Sequence, residues 1–175
     1  QKWTLFPYTT LFRSLAYLNL GSESRVKSVA VSPEHVCAII FNNRIKCWGS
    51  NASGELGLGD TATRGRSSGT MGNSLPYVDL GTGRTAKSLA VGSKYSCALL
   101  DNDRVKCWGT GNGGENGAGT GASVGDSPGS MGNALSYVDL GTGRTAKTLH
   151  SDGAGSHTCV VLDNRLIKCW GAGGY

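Results

Sequence analysis

The sequence predicts an all-β chain built as an array of repeated sheets. Three observations carry that prediction: a fixed internal period, short strand-like apolar runs inside each copy, and a glycine content unsuited to a compact helical or α/β domain. The 175 residues include 28 glycines while only 7% are aromatic, a composition that favours many short strands joined by turns. The apolar residues gather into short regular runs and both charge signs are interspersed, which separates the chain from disordered sequences.

The period comes from laying the chain on itself at an offset of 60 residues, which superposes Thr70–Lys87 on the near-identical Ser130–Lys147. The same offset carries Leu15–Gly21 onto Leu75–Gly81, and Cys37 and Cys47-Trp48-Gly49 onto Cys97 and Cys107-Trp108-Gly109. A third copy slips by two residues because Ser151–Gly155 is longer than its counterpart, so its cysteines fall at Cys159 and Cys169. Self-similarity of this size means an array, a solenoid or a propeller. Each copy holds a Leu-Ala-Val-like run, a Cys-Ala-Leu-Leu-like run and a short Val-Lys-Cys-Trp run with turn residues between them, which read as β-strands. No segment has the i, i+3, i+4 spacing of an amphipathic helix over three turns, which disfavours helical repeats and leucine-rich horseshoes.

The repeat register begins near Ser14-Leu15. The residues before it have no counterpart in the other copies, and Phe6-Pro7-Tyr8-Thr9-Thr10-Leu11-Phe12-Arg13-Ser14 resembles one reading frame of a sequencing-library adapter. Residues 1–14 are therefore expected to be foreign to the repeat region, the alternative being a strand that buries Trp3, Leu5, Phe6 and Leu11; they lack the apolar core and cleavage site of a secretory signal. After Trp170-Gly171 the loop seen after the first two tryptophans is missing. The expected organisation is a repeat region over 15–175, cut at both ends, with copies at about 15–69, 70–129 and 130–175.

Residues 91–109, Val91-Gly92-Ser93-Lys94-Tyr95-Ser96-Cys97-Ala98-Leu99-Leu100 through Val105-Lys106-Cys107-Trp108-Gly109, resemble the signature of the regulator of chromosome condensation repeat family, in a subtype carrying Cys-Trp-Gly. Trp48-Gly49-Ser50-Asn51-Ala52-Ser53-Gly54-Glu55-Leu56-Gly57-Leu58-Gly59 is similar to the loop that follows in that family, with Glu55 in place of glutamine. Copy one departs from the pattern at Ser32-Pro33-Glu34, and copy two loses the leucine of the loop at Asn116. The resemblance implies a partial β-propeller, about three four-stranded blades of a seven-bladed ring. Blades bury their sheet faces against neighbours, so three leave two open flanks and the chain should be poorly stable alone, with the remaining blades of the same chain as its natural partners.

The cysteines pair as Cys37 with Cys47, Cys97 with Cys107 and Cys159 with Cys169, each pair flanking a turn. Opposed cross-strand positions bring Cα atoms to about 4.5 Å, within reach of a disulfide. A staple in every blade is the expectation, and buried thiols in a cytosolic protein are the alternative. Zinc is disfavoured because its ligand pairs are spaced more closely. Disulfides in every blade point to an oxidising location, extracellular or at the cell surface, with a cytoplasmic site as the alternative. Trp48, Trp108 and Trp170 are expected to pack between blades. Asn51-Ala52-Ser53 is a candidate glycosylation sequon on a loop. Gly109-Thr110-Gly111-Asn112-Gly113-Gly114 has dinucleotide-binding spacing but no following helix, and reads as an inter-strand loop. His35, His150 and His157 read as structural.

No acid-base or nucleophile-base constellation recurs, so no catalytic residue, metal site or cofactor is assigned. The net charge of +5, to which Lys2 and Arg13 contribute, includes no basic cluster interleaved with aromatics, which argues against nucleic acid. No run approaches the roughly 20 apolar residues of a membrane span, which argues against membrane insertion. The function expected is a non-catalytic scaffold that binds a protein partner through the loops Thr61–Asn73 and Thr120–Asn133. The alternatives are a guanine-nucleotide exchange factor or other small-GTPase regulator, by family analogy, and a propeller-type enzyme or enzyme inhibitor.

Overall fold

The computed structural model describes residues 17–22 and 25–173. The adapter-like segment at 1–14 lies outside the described residues. Among the described residues nine strands form three antiparallel sheets, each a meander of three: β1 (Val26–Val31), β2 (His35–Ile40) and β3 (Ile45–Gly49); β4 (Ala86–Val91), β5 (Tyr95–Leu100) and β6 (Val105–Gly109); β7 (Ala146–Ser151), β8 (His157–Leu162) and β9 (Ile167–Gly171). The chain is all-β, a partial propeller with three blades.

Local chemistry sets the hairpins. Asn43, Asp103 and Arg165 take positive φ of 62°, 60° and 69° at the third position of the tight turn between the second and third strands. The residue before each is an asparagine whose Oδ1 accepts the N–H two residues on, as Asn42 does from Arg44 at 3.1 Å. Lys27, Lys87 and Lys147 each sit at a bulge where the register shifts between the first and second strands, and bulges re-aim a side chain.

The expected fourth strand is irregular. Residues 76–80 lie beside β3 through one bond, Val78 N–H to the Ile45 carbonyl at 2.9 Å, and 136–140 lie beside β6 through Val138 N–H to Val105. One local feature opposes a regular ladder in both copies: Asp79 folds its carboxylate onto the Gly81 N–H, and Asp139 onto the Gly141 N–H, each at 2.8 Å, turning the chain away.

Successive residues of the middle strands face opposite ways, and the core follows that alternation. Cys37 and Ile39 share one cluster with Ala98 and Leu100, and Cys97 and Leu99 share the next with Val160 and Leu162. Each blade therefore buries its odd face against the even face of the blade that follows. Blade 3 shows what that cover is worth: Ile167 is 70% exposed where Ile45 and Val105 are 0%.

Candidate functional site: the blade seams and the loop face

Each seam closes on hydrogen bonds as well as apolar contact. Trp108 is fully buried, and its Nε1–H donates to the Glu55 carbonyl in the loop of the preceding blade at 3.0 Å. The Ser96 hydroxyl donates to the same carbonyl at 2.9 Å. Trp170 repeats the contact with Glu115 at 3.2 Å, while Trp48 lies half-buried against Leu20, Ala38 and Leu75. Gly57 makes room for the indole, since a Cβ there would come within 2.7 Å of Trp108 Nε1, and its φ of 67° also favours glycine. The three cysteine pairs stand directly opposite on their hairpins with Cα–Cα distances of 4.0–4.1 Å and are joined as disulfides. The first two are covered by the next blade; Cys159 is partly exposed and Cys169 exposed.

A second seam bond joins His35 Nε2 to the Ser96 hydroxyl at 2.7 Å. Because that hydroxyl donates onward to Glu55, the imidazole donates from Nε2, and Nδ1 takes the Ser32 hydroxyl at 3.0 Å. In the next seam Tyr95 accepts from Thr158 at 3.0 Å and donates to the His157 carbonyl at 2.8 Å. Burial lowers the His35 pKa from 6.5 to about 4. The unfolded chain binds a proton that the folded chain refuses between those values, so this contribution is complete above about pH 6.5 and drains as the pH falls toward 4. Chemical denaturation should show about 2 kcal/mol less stability at pH 5 than at pH 7 from this group. His35→Tyr, the residue of copy two, should remove most of that difference; an unchanged pH dependence in the variant would refute the assignment.

Sequence reasoning passed over Lys46 and Lys106, both 2% exposed. Lys106 Nζ donates to the Leu80 and Gly132 carbonyls at 3.0 and 2.7 Å, and Lys46 Nζ to the Leu20 and Gly72 carbonyls at 2.7 and 2.8 Å. Each ammonium lies 4.8–4.9 Å from a tyrosine ring, Tyr77 or Tyr137. Burial pushes the Lys106 pKa down. The available signal was the lysine one residue before the second cysteine in all three copies, where a strand facing a neighbour should be apolar.

The sequon expectation is corrected. Asn51 is fully buried, and the nitrogen a glycan would occupy donates to the Asp60 and Ala62 carbonyls at 2.7 and 3.3 Å, while Oδ1 accepts the Leu56 N–H at 2.9 Å. Asn51 is the hub of its loop. Copy two places the amide elsewhere: Asn116, at the position of Leu56, donates to the Ala122 carbonyl at 2.7 Å, and Gly111 replaces Asn51. A Cβ at Gly111 would meet both Ala122 O and Asn116 Nδ2. The lost leucine and the added glycine are one exchange. In both loops a buried glutamate accepts the N–H two residues before it, Ser53 for Glu55 and Gly113 for Glu115.

These fixed bases carry the long loops. Gly49 and Arg64 exchange backbone bonds at 2.9 and 3.1 Å, Gly109 and Val124 at 2.7 and 3.0 Å, and Gly59 N–H reaches the Gly125 carbonyl at 3.0 Å, so the two loops form one rim. Thr70 and Ser130 hydroxyls each close the tip by donating to Ser67 and Ser127. The tips leave Arg66, Ser67 and Ser68 exposed in one loop and Ser127 and Pro128 in the other. The Gly109–Gly114 segment is loop, with no helix after it. Among the described residues no three His, Cys, Asp or Glu side chains gather to hold a metal ion, and no helix is long and apolar enough to cross a membrane.

Hairpin-stapled sheets, clasped face to face by a tryptophan from each following blade, define a propeller-type repeat protein. Two of its three copies, at residues 26–55 and 86–115, match the regulator of chromosome condensation (RCC1) repeat. The ultraviolet-B receptor UVR8 of Arabidopsis thaliana is 28% identical over 96 residues, which cover 54% of this chain and 20% of the receptor. Human WBSCR16 shares the fold with a TM-score of 0.64 at 16% identity over 83% of this chain and 33% of that one. Prp20p of Saccharomyces cerevisiae does so at 0.62 and 19% identity, over 84% of this chain and 33% of Prp20p. The chain thus spans a fifth to a third of the length of these proteins.

Proposed function

We propose that the chain is part of a non-catalytic protein-binding scaffold that works in an oxidising compartment, outside the cell or at its surface. The observation that carries this reading is the division of labour among polar side chains. Those that recur in register, such as Glu55 and Glu115 or Lys46 and Lys106, are spent on loops and seams, while the exposed loop tips differ between copies. A rigid frame with variable tips is the arrangement in which loops present recognition residues. Prp20p is described as binding Gsp1p and histones, which supports a protein-binding role for such propellers. Three hairpin disulfides support the oxidising compartment.

Cross-linking of the chain to its partner in the compartment fluid should place the linked residues within 61–73 and 120–133. Arg66→Glu combined with Pro128→Glu should weaken that capture about tenfold or more and leave the unfolding midpoint unchanged. Equal capture by parent and variant would overturn the loop-face reading. Stimulated nucleotide release from a small GTPase would move the function to exchange.

A further inference from the structure

The three hairpin turns at the end of the strands opposite the long loops are equivalent in backbone and different in charge. In blade 2, Asp101 pairs with Arg84 at 3.2 Å and Asp103 with Lys87 at 2.7 Å; in blade 3, Asp163 pairs with Arg144 at 3.4 Å. Lys87 holds the Asp103 carboxyl below its ordinary pKa. Blade 1 has the same turn with Phe41 in the place of Asp101 and Asn43 in the place of Asp103. Both carboxylates are gone, Lys27 keeps the place of Lys87, and Arg25 stands where blade 2 has Thr85. The bulged Lys27 donates to Asn43 Oδ1 at 2.6 Å and lies 5.2 Å from the centre of the Phe41 ring, with Arg25 at 4.9 Å from it. Arg44 stacks on Tyr77 at 3.5 Å. None of the ion pairs among the described residues includes Arg25, Lys27 or Arg44, and Phe41 is 60% exposed.

We infer that this turn is a docking site for an acidic peptide segment of a partner protein. The segment supplies from outside the two carboxylates, with one residue between them, that blade 2 carries as Asp101 and Asp103, and it covers Phe41 with an apolar side chain. Charge complementarity selects the occupant. Guanidinium and ammonium groups beside an exposed ring offer carboxylates charge-assisted bonds and an apolar neighbour an adjoining surface. A nucleic-acid backbone fits less well, because it needs a run of cations tracking successive phosphates. The site lies away from the loop rim, so it stands independently of the loop-face proposal.

The test is fluorescence anisotropy with the full chain and a labelled peptide of alternating Asp and Leu, against an Asn-for-Asp control peptide. Saturable binding that weakens with salt is expected for the acidic peptide. Phe41→Asp with Asn43→Asp, which gives blade 1 the residues of blade 2, should weaken it about tenfold or more. The converse variant, Asp101→Phe with Asp103→Asn, should create a second site and raise the peptide stoichiometry; near-UV circular dichroism confirms that each variant keeps its fold. No saturable binding, equal binding by parent and the blade 1 variant, unchanged stoichiometry in the converse variant, or tighter binding of a single-stranded DNA oligonucleotide than of the peptide would each overturn the proposal.

Discussion

Trp108→Ala should cost about 3–5 kcal/mol of unfolding free energy, the toll of emptying a fully buried aromatic site. The ring is 0% exposed and sits in the cluster that joins blade 1 to blade 2, where it meets Leu56, Val78 and Leu135. The same change frees the Glu55 carbonyl of one of its two donors, leaving Ser96 alone. A protein of this size has only about 5–15 kcal/mol to lose, and the exposed face of blade 3, with Ile167 70% exposed, places the chain toward the lower end of that range. Trp48→Ala is the internal comparison: the ring is half-buried, and the change should cost less than half as much. Trp108→Phe should fall between them, keeping most of the apolar contact and losing one hydrogen bond worth about 1 kcal/mol. Urea denaturation reads all three, and equal losses for Trp48→Ala and Trp108→Ala would show that the seam does not carry the stability assigned to it.

The second large effect concerns the staples. Closing a loop of sequence separation 10 removes enough unfolded-state entropy to stabilise a hairpin by about 2.7 kcal/mol. Replacing Cys97 and Cys107 together by serine should therefore cost that amount or somewhat more, because the hydroxyls would be buried in the seam with Val138 and Leu140. Cover also sets the order of reduction. Cys37, Cys47 and Cys97 are 0% exposed and Cys107 2%, whereas Cys169 is open. A graded reductant should open Cys159–Cys169 first and the other two only with global unfolding. Simultaneous opening of all three under native conditions would contradict the protected seams.

The sequence made the frame legible and left the polar contacts of the seams and loops obscure. The repeat offset located three strands in each copy, because short apolar runs bounded by turn residues recur in each, and it paired every cysteine, because both members of a pair flank one turn. The fourth strand was expected as a regular element on the strength of the family resemblance; the turns at Asp79 and Asp139 explain its irregularity, but only once the pairing is seen. Asn51 carried a sequon in a loop, and loops are ordinarily exposed. Its burial follows from contacts with Asp60 and Ala62 that sequence spacing does not announce. The exchange of Asn51 and Leu56 for Gly111 and Asn116 looked like the loss of a leucine, since a single side-chain amide can reach one carbonyl from two places in a folded loop. Lys46 and Lys106 defied the rule that charged groups stay outside. Their side chains run inward to backbone carbonyls 26 residues away in sequence, a juxtaposition that only the folded chain creates.

The measurement that tests the central claim most directly is disulfide mapping of the chain recovered, without reductant, from the compartment where it works, by digestion and mass spectrometry. A staple within every blade predicts three linked peptides, Cys37 with Cys47, Cys97 with Cys107 and Cys159 with Cys169, and no free thiol. Six free thiols would place the chain in a reducing compartment, and links between different blades would contradict the array of independently stapled, face-packed sheets.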